Sequence, residues 1–331
     1  MMKNKVNRNT LIFAVTVVVL MSLVFLVAYF SSTGSVSDKA LADMRVVAKD
    51  RAQLVEAYIQ GCCDYLEGFS KTTEVRSVLE NPLDSDRLKA VRDTTSRISK
   101  DMENLEGLYV AKWDTYVLAH NNPDSMNQRF RDKEGALELE DQIKKVGKAF
   151  CTGIVEAPVT KRMVIPVYAP VKNDNGEMIG FAGAAFYTDG LEECLMSLKG
   201  RGIDKVGYSV INVKKNQYIF AEDQKLVGTE CKDEVLKQAI VKAHTDIDFG
   251  GYYSYSGDNS ITSCYYMTNR DWAFVVTEEN SEVFSNTTGV DPMLIIVCIG
   301  SALLMIVAYL ICMYGSLPKE KNDRNDKKTS S

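Results

Sequence analysis

The sequence predicts an α+β fold in which two membrane-spanning helices flank a long N-terminal helix and two antiparallel-sheet modules. Three observations lead to this prediction. The chain has 331 residues, of which 46% are hydrophobic and 25% are charged, a composition typical of a folded protein. Two long uncharged runs stand near its ends. Between them, helical periodicity is followed twice by segments of strand-like composition with polar turns.

The two uncharged runs are Leu11 to Phe30 and Met293 to Tyr314. A helix rises about 1.5 Å per residue, so each run is long enough to cross a hydrocarbon layer of about 30 Å. The sequence therefore predicts transmembrane helices over residues 11–30 and 292–314. A cleaved signal peptide is the alternative for the first run, but the residues after it lack a small-x-small cleavage site.

Charge predicts the orientation of these helices. The head, residues 1–10, has basic residues and no acid, and basic residues outnumber acids in the tail, residues 315–331. Both termini are therefore expected in the cytoplasm of a multi-pass protein of the cell membrane. The acidic segment between the helices, an expected extracytoplasmic domain, argues against a nucleic acid partner. The tail is too short for an output domain, which implies either a separate cytoplasmic signalling partner or a truncated receptor.

From Ser35 onward, apolar residues recur at steps of three and four, with charged residues between them. This spacing is typical of an amphipathic helix and predicts one long helix to about Ser70. A second helix is predicted from Ser85 to Leu105, after the turn at Asn81 and Pro82. Residues 31–106 thus form a spine helix followed by a second helix.

Strand signals then begin a first module, residues 107–200. The stretch Gly107 to Ala119 has the β-branched and aromatic residues of a strand pair. Its remaining predicted elements are a helix and three strands, the last two of which are joined by a strong hairpin turn: Gly135 to Val146, Ile154 to Pro158, Met163 to Val171 and Met178 to Tyr187.

The same order of elements recurs in a second module, residues 201–291. A strand pair is predicted over Tyr208 to Ala221 and a helix over Glu234 to Ala243. Three further strands follow, at Tyr252 to Tyr255, Ser263 to Met267 and Trp272 to Thr277. This repetition of the order indicates an internal duplication.

The reactive residues give no catalytic pattern. None of the eight cysteines has CxxC spacing, and a domain of this size folds without disulfides, so free buried thiols are expected. Only two histidines are present, which disfavours a zinc site. No phosphate-binding glycine loop, HExxH or GxSxG motif occurs. We therefore expect neither an enzyme, for example an extracellular hydrolase, nor a cofactor.

Four segments carry a resemblance to a known family: NLEGLYVAKWDTYVLAHNNPDSMNQRFR, VIPVYAPVKNDNGEMIGFAGAAFYTDGLEECL, YSVINVKKNQYIFAEDQKLVG and NRDWAFVVTEENSEVF. In order and spacing the chain from Ser35 to Phe284 resembles the double Cache (dCache) domain. This PAS-like extracytoplasmic sensor occurs in bacterial chemoreceptors, sensor kinases and diguanylate cyclases. The resemblance implies a ligand pocket in a membrane-distal module, residues 107–200, stacked on a membrane-proximal module, residues 201–291, and a homodimer.

The resemblance also implies site residues. Arg131 matches the arginine of the amino-acid-binding members, and Phe150 falls at a later aromatic position. Their tyrosine and tryptophan-tyrosine pair are replaced by Met126, Lys133 and Glu134. Ala185 stands where an aspartate would hold an ammonium group. A small carboxylate or an uncharged metabolite is therefore expected rather than an amino acid.

Chemistry adds three aromatic candidates to Arg131, whose guanidinium can bind a carboxylate with two hydrogen bonds. Trp113 could form a pocket wall, and Tyr168 and Tyr187 could direct hydroxyl groups into it. Each residue has a plainer interpretation: Arg131 as a solvated loop arginine, Trp113 as a core residue, and the tyrosines as sheet-edge residues. His120 is either a pH-sensitive group or a packing residue.

Together these features predict a membrane-anchored extracytoplasmic sensor that binds a small molecule in its distal module and transmits the signal across the membrane through the spine helix. A non-signalling surface protein, for solute capture or for structure, is the alternative from another class. A truncated chemoreceptor, kinase or cyclase is a further one.

Overall fold

The computed structural model describes residues 8–158, 160–197, 207–245, 252–256 and 260–279, together with isolated positions between 296 and 307. Two compact units are distinguished. Leu41–Glu282 holds both sheets, and the other unit comprises Met1–Ala40 and Val283–Ser331. The described residues of this second unit are helical.

The helices are α1 (Arg8–Ser70), α2 (Thr73–Glu80), α3 (Ser85–Lys100), α4 (Lys133–Val146), α5 (Asp189–Met196) and α6 (Glu234–Thr245). A 3-10 turn covers Pro123–Ser125. The first six strands are β1 (Leu105–Ala111), β2 (Val117–His120), β3 (Phe150–Cys151), β4 (Val155–Glu156), β5 (Met163–Lys172) and β6 (Met178–Tyr187). They are followed by β7 (Gly207–Asn212), β8 (Gln217–Ala221), β9 (Tyr252–Ser256), β10 (Ser260–Met267) and β11 (Trp272–Glu279).

Helix α1 has 63 residues and continues without a break beyond the predicted spine. Its buried positions follow the spacing of three and four that the sequence predicts, because residues at that spacing share one face of a helix. They include Leu41, Met44, Ala48, Ala52, Val55, Ile59, Cys62, Leu66 and Phe69. The last turns of α1 reach the first sheet, where Tyr65 makes an edge contact with Phe186, with ring centroids 6.0 Å apart.

Two antiparallel sheets follow, and they have the same strand order. The first is β2-β1-β6-β5-β3, with β4 also paired to β5, and the second is β8-β7-β11-β10-β9. Each sheet begins in sequence with a hairpin, β1-β2 or β7-β8. The first strand of that hairpin pairs with the last strand of its sheet, β1 with β6 and β7 with β11. The α+β prediction and the repeated order of elements therefore fit the structure.

The first sheet is covered on both faces. On one face, Gly180 of β6 lies against α2, and a Cβ atom at this glycine would be 2.7 Å from Cδ2 of Leu79. The absence of a side chain is what allows this close approach. On the other face, α4 contributes Leu139 and Ile143 to a hydrophobic cluster with Tyr168 and Phe181. That second face bears the candidate site.

The second sheet packs in a similar way against α6. Leu236, Ala239 and Ile240 of α6 share a buried cluster with alternate residues of the strands, among them Ile211, Ala273 and Val275. Alternate residues of a strand point to the same face, so one face of this sheet forms a core with its helix.

Several elements differ in extent from their predictions. The predicted strand Ile154 to Pro158 is reduced to β4, because the Ala157 N–H bonds the Arg162 carbonyl at 2.8 Å and turns the chain back. Helix α3 stops at Lys100, since Leu105 already belongs to β1. The short elements α2, α5 and β3 were not predicted, because segments this short contain too few periodic positions.

The prediction of two flanking transmembrane helices is wrong. Within the part of the chain that the structure describes, no helix is both long and apolar enough to cross a membrane. Residues 11–30 are not a separate element but the beginning of α1, which continues into a charged, amphipathic segment. Counting apolar residues in isolation could not reveal this continuity. Most of the second predicted span, 292–314, lies outside the described residues.

The predicted location, a multi-pass cell-membrane protein with both termini in the cytoplasm, depended on those two helices. It is wrong for the same reason, since no membrane-crossing helix is found among the described residues.

Candidate functional site

A row of five residues crosses the first sheet from edge to edge. Tyr109 of β1 is opposite His120 of β2 on one side and opposite Gly183 of β6 on the other. Gly183 is opposite Tyr168 of β5, which in turn is opposite Phe150 of β3. Residues directly opposite one another share a face of the sheet, so the four rings of this row lie on one side. We refer to His120, Tyr109, Gly183, Tyr168 and Phe150 as the aromatic row.

Four of the five sequence-predicted site residues meet at this row. The rings of Phe150 and Tyr168 are 6.2 Å apart, and Phe181 lies 6.0 Å from Tyr168 and 6.2 Å from Trp113. Nη2 of Arg131 donates a hydrogen bond to the Tyr168 hydroxyl at 3.1 Å. Trp113, Arg131, Phe150 and Tyr168 therefore form one cluster with Phe181 at its centre.

Tyr187 lies elsewhere. It ends β6 opposite Val164, four residues beyond Gly183, which at about 3.3 Å per residue is roughly 13 Å along the strand. The guanidinium of Arg162 lies 3.7 Å from the centre of its ring and also pairs with Asp189. The structure thus separates Tyr187 from the other predicted residues.

Arg131 is held by the turn between β1 and β2. Thr115, which has a positive φ of 58° and is 2% exposed, accepts the Arg131 backbone N–H on its hydroxyl at 3.1 Å. Asp132, the next residue, begins α4 by accepting the Gly135 N–H at 2.8 Å. Such N-terminal capping fixes where the helix begins. Arg131 is therefore placed between two anchored backbone positions.

The side chain of Arg131 has donors to spare. Guanidinium groups carry five N–H donors. Among the residues that the structure describes, Nη2 bonding Tyr168 is its one side-chain hydrogen bond to protein. The residue is exposed at the edge of the cluster, next to Phe130, which is 41% exposed. The Arg131 guanidinium is therefore a positively charged group with free N–H donors at the exposed edge of the aromatic cluster.

Three residues of the site were missed as ligand-site candidates: Tyr109, Phe130 and Phe181. The ring of Tyr109 stacks on His120 at 5.6 Å and makes edge contacts with Phe130 at 5.1 Å and Phe181 at 6.2 Å. Burial, with a smaller effect from the neighbouring Tyr168 phenol, raises the pKa of Tyr109 well above the ordinary value. A tyrosine opposite a glycine is the signal that could have found it, but reading that signal requires the strand register.

The electrostatics of the row are simple. Burial lowers the pKa of His120 to about 4, so its ring is neutral at pH 7. The His120 Nδ1 atom accepts the Asn122 N–H at 2.8 Å. A second cation, Lys144 Nζ, lies 5.1 Å from the Trp113 ring at the rim, but it is paired with Glu140. With a neutral imidazole and no carboxylate in the row, the positive charge of the site comes from Arg131.

Comparison of the sequence with known protein families and with curated proteins gives no match. Solved structures do match. The sensory domain of the Campylobacter jejuni chemoreceptor Tlp3 with isoleucine bound has a TM-score of 0.56 at 14% identity, over 77% of this chain and 98% of that one. The ligand-binding domain of the Pseudomonas fluorescens chemoreceptor CtaA with L-isoleucine has 0.54 at 12%, over 77% and 99%.

A sensor kinase domain is similar to the same degree. The sensor domain of the Vibrio cholerae histidine kinase DctB has a TM-score of 0.54 at 9% identity, over 73% of this chain and 98% of that one. At such low identities the likeness is one of fold. The predicted resemblance is confirmed at that level: this chain has the double Cache fold of chemoreceptor and kinase sensory domains.

Proposed function

We propose that this chain is a ligand-binding sensor whose aromatic row and Arg131 hold a small carboxylate. The observation that carries the proposal is the Arg131 guanidinium, of which one donor bonds Tyr168 while the group stays exposed at the mouth of the aromatic cluster. A carboxylate accepts two parallel N–H bonds from such a group, and the aromatic rings cover its apolar part.

Amino acids fit this site less well than plain carboxylates. The row contains no acid to hold an ammonium group, and Ala185 stands two residues along β6 from Gly183, on the same face. The Tlp3 and CtaA structures contain isoleucine. Because the row lacks an acid for an ammonium group, we propose that this chain prefers a different class of ligand. An uncharged metabolite of similar size is the second ligand class that the aromatic wall favours.

A short path leads from the site to α1. The Ala149 N–H, one residue before Phe150, donates to Oε2 of Glu67 near the end of α1 at 3.0 Å. A ligand that displaces Phe150 therefore acts on a strand bonded directly to the helix. In this proposal the signal is a change in α1. The ligand shifts an equilibrium between two arrangements of the Glu67–Ala149 contact, and the shift can be no larger than the difference in ligand affinity for the two arrangements allows.

The proposed function is sensory and not catalytic. In it the chain works as a homodimer and passes the change in α1 to a separate signalling partner.

Ligand binding is tested by thermal shift and calorimetry on the full-length chain with a panel of organic acids, amino acids and nucleobases. We expect organic acids to bind best, and Arg131→Ala to weaken that binding by about tenfold or more, because a hydrogen bond to a charged group contributes about 1.5 to 3 kcal/mol. Arg97→Ala, an exposed arginine on α3, is the matched control and leaves binding unchanged. Tight amino-acid binding that survives Arg131→Ala contradicts the proposal.

Transmission is tested by amide hydrogen exchange of residues 41–69 with and without the ligand found above. The expected result is a ligand-dependent change in exchange that Glu67→Gln reduces while binding persists, since the amide accepts the Ala149 N–H less strongly than a carboxylate does. Equal exchange in α1 with and without ligand would show that the contact does not transmit binding.

A further inference from the structure

A second cleft, of about 220 Å³, lies where α1 ends and shares no residue with the aromatic row. Three parts of the chain form it: the end of α1 with the start of α2, the segment after α4, and the end of β5. Its lining residues are Glu67, Ser70, Lys71, Arg76, Gly147, Lys148, Pro170 and Lys172.

This cleft is strongly basic, although the whole chain has a net charge of −5. Half of its lining residues are cationic, namely Lys71, Arg76, Lys148 and Lys172, whereas Glu67 is the one acid among them. Residues distant in sequence thus bring four positive charges to one concave surface. Like charges repel when they are brought together, so the arrangement favours an anion between them.

The acids nearby are already engaged. Oε1 of Glu67 accepts from Lys71 Nζ at 2.9 Å, and its Oε2 accepts from the Ala149 N–H at 3.0 Å. The pKa of Glu67 is lowered, first by the Ala149 N–H, then by Lys71 and least by the charge of Lys172, so this carboxylate is ionised and its charge is offset. Arg76 is paired with Asp174 in the turn between β5 and β6.

Two ammonium groups remain. Within the described ranges, Lys148 and Lys172 form no ion pair, and Lys172 Nζ donates only to the Gly147 carbonyl, at 3.3 Å. A carbonyl dipole offsets an ammonium charge less than a carboxylate does. Lys148 directly follows Gly147, so the two lysines flank the same backbone position.

We propose that this cleft is a second binding site and that it takes a small multivalent anion, a phosphate or a di- or tricarboxylate. Two exposed lysines without an ion pair among the described residues favour a ligand with more than one negative oxygen, and a cleft of about 220 Å³ holds an anion of that size. Monovalent anions match only one of the two charges. Binding here does not depend on binding at the aromatic row, because the cleft and the row have no residue in common. Glu67, which lines the cleft, is also the α1 residue of the proposed signal path.

The test uses calorimetry on the full-length chain with two probes, inorganic phosphate and citrate, and with acetate as the monovalent comparison at matched ionic strength. We expect saturable binding of phosphate or citrate, and weaker binding of acetate. Lys148→Gln and Lys172→Gln should each lower the affinity about tenfold. Lys148→Arg and Lys172→Arg, which keep the charge, should retain binding.

The control variant carries Lys89→Gln and Lys100→Gln, which remove two exposed lysines of α3. Loss of binding in this variant equal to that in the cleft variants would show a general charge effect and overturn the proposal, as would the absence of saturable binding of either probe. Arg131→Ala separates the two sites: it leaves phosphate and citrate binding intact if the cleft holds them. Loss of citrate binding in Arg131→Ala alone would assign the citrate to the aromatic row and not to the cleft.

Discussion

The phenol ring of Tyr109 lies directly over the backbone of Gly183, in the middle of the first sheet. A Cβ atom built on Gly183 would come within 2.6 Å of Cε1 of this ring. The ring cannot move aside freely, because it is packed against His120, Phe130 and Phe181. The absence of a side chain at Gly183 therefore allows the Tyr109 ring to lie directly on the sheet.

The first prediction follows from this contact. Gly183→Ala should destabilise the fold by about 1 to 3 kcal/mol, the usual cost of overpacking, and should weaken ligand binding by shifting Tyr109. Urea unfolding measures the first effect and calorimetry the second. Gly61→Ala is the control: it lies in α1 with no atom within 4 Å of the added carbon, so it should be neutral or stabilise by up to about 1 kcal/mol.

The second prediction concerns the Tyr168 hydroxyl, which accepts a hydrogen bond from Arg131 at 3.1 Å. Tyr168→Phe removes this bond and should lower ligand affinity several-fold while keeping the ring. Tyr187→Phe, at the far end of β6, should leave the affinity unchanged. An equal loss in both variants would mean that Tyr187 belongs to the site after all.

The third prediction concerns pH. The pKa of His120 falls from 6.5 in the unfolded chain to about 4 in the fold, because burial disfavours the charged imidazole. Between these two pH values the unfolded chain binds more protons than the folded one. The contribution of His120 to the free energy of unfolding is therefore fully present above pH 6.5 and is lost as the pH falls toward 4. The loss should be at most about 3 kcal/mol. Urea unfolding at several pH values from 7.5 to 4 measures this dependence. The free energy of unfolding should change less with pH in His120→Gln than in the wild type, and an equal change in both would show that His120 is not the group responsible.

The fourth prediction concerns thiol reactivity. Burial raises the pKa of Cys62 to about 12 and that of Cys63 to about 11, and both are less than a tenth exposed. Because the thiolate is the reactive form, alkylation of these two residues in the native protein should be slow at pH 8 and become fast in urea. Peptide mass spectrometry identifies the labelled residue. Rapid labelling of Cys62 without urea would show that α1 separates from the sheets.

Local sequence determined much of the fold. The strand Met178–Tyr187 was predicted with its exact bounds, and α4 within two residues, because a polar turn and a capped helix leave clear local signals. The face of α1 that is buried also followed from spacing alone. The flanking transmembrane helices were predicted wrongly, since an apolar run does not reveal the helix to which it belongs.

The site divides in a similar way. Arg131, Phe150, Tyr168 and Trp113 were chosen as candidates from side-chain chemistry and from resemblance, and the structure places them close together. Tyr187 was chosen on the same grounds and lies elsewhere, because its distance from the others depends on where along β6 each residue stands.

The sequence by itself therefore determined most of the longer helices and strands and indicated side chains whose chemistry suits a carboxylate, because periodicity and residue chemistry are local properties. Only the tertiary structure decided that Tyr109, Gly183, Tyr168 and Phe150 stand in one row and that Lys148 and Lys172 line the same cleft. Those relationships depend on strand register and on contacts between distant segments, and the physical reason is that a shift of one residue in a strand moves every side chain to the opposite face.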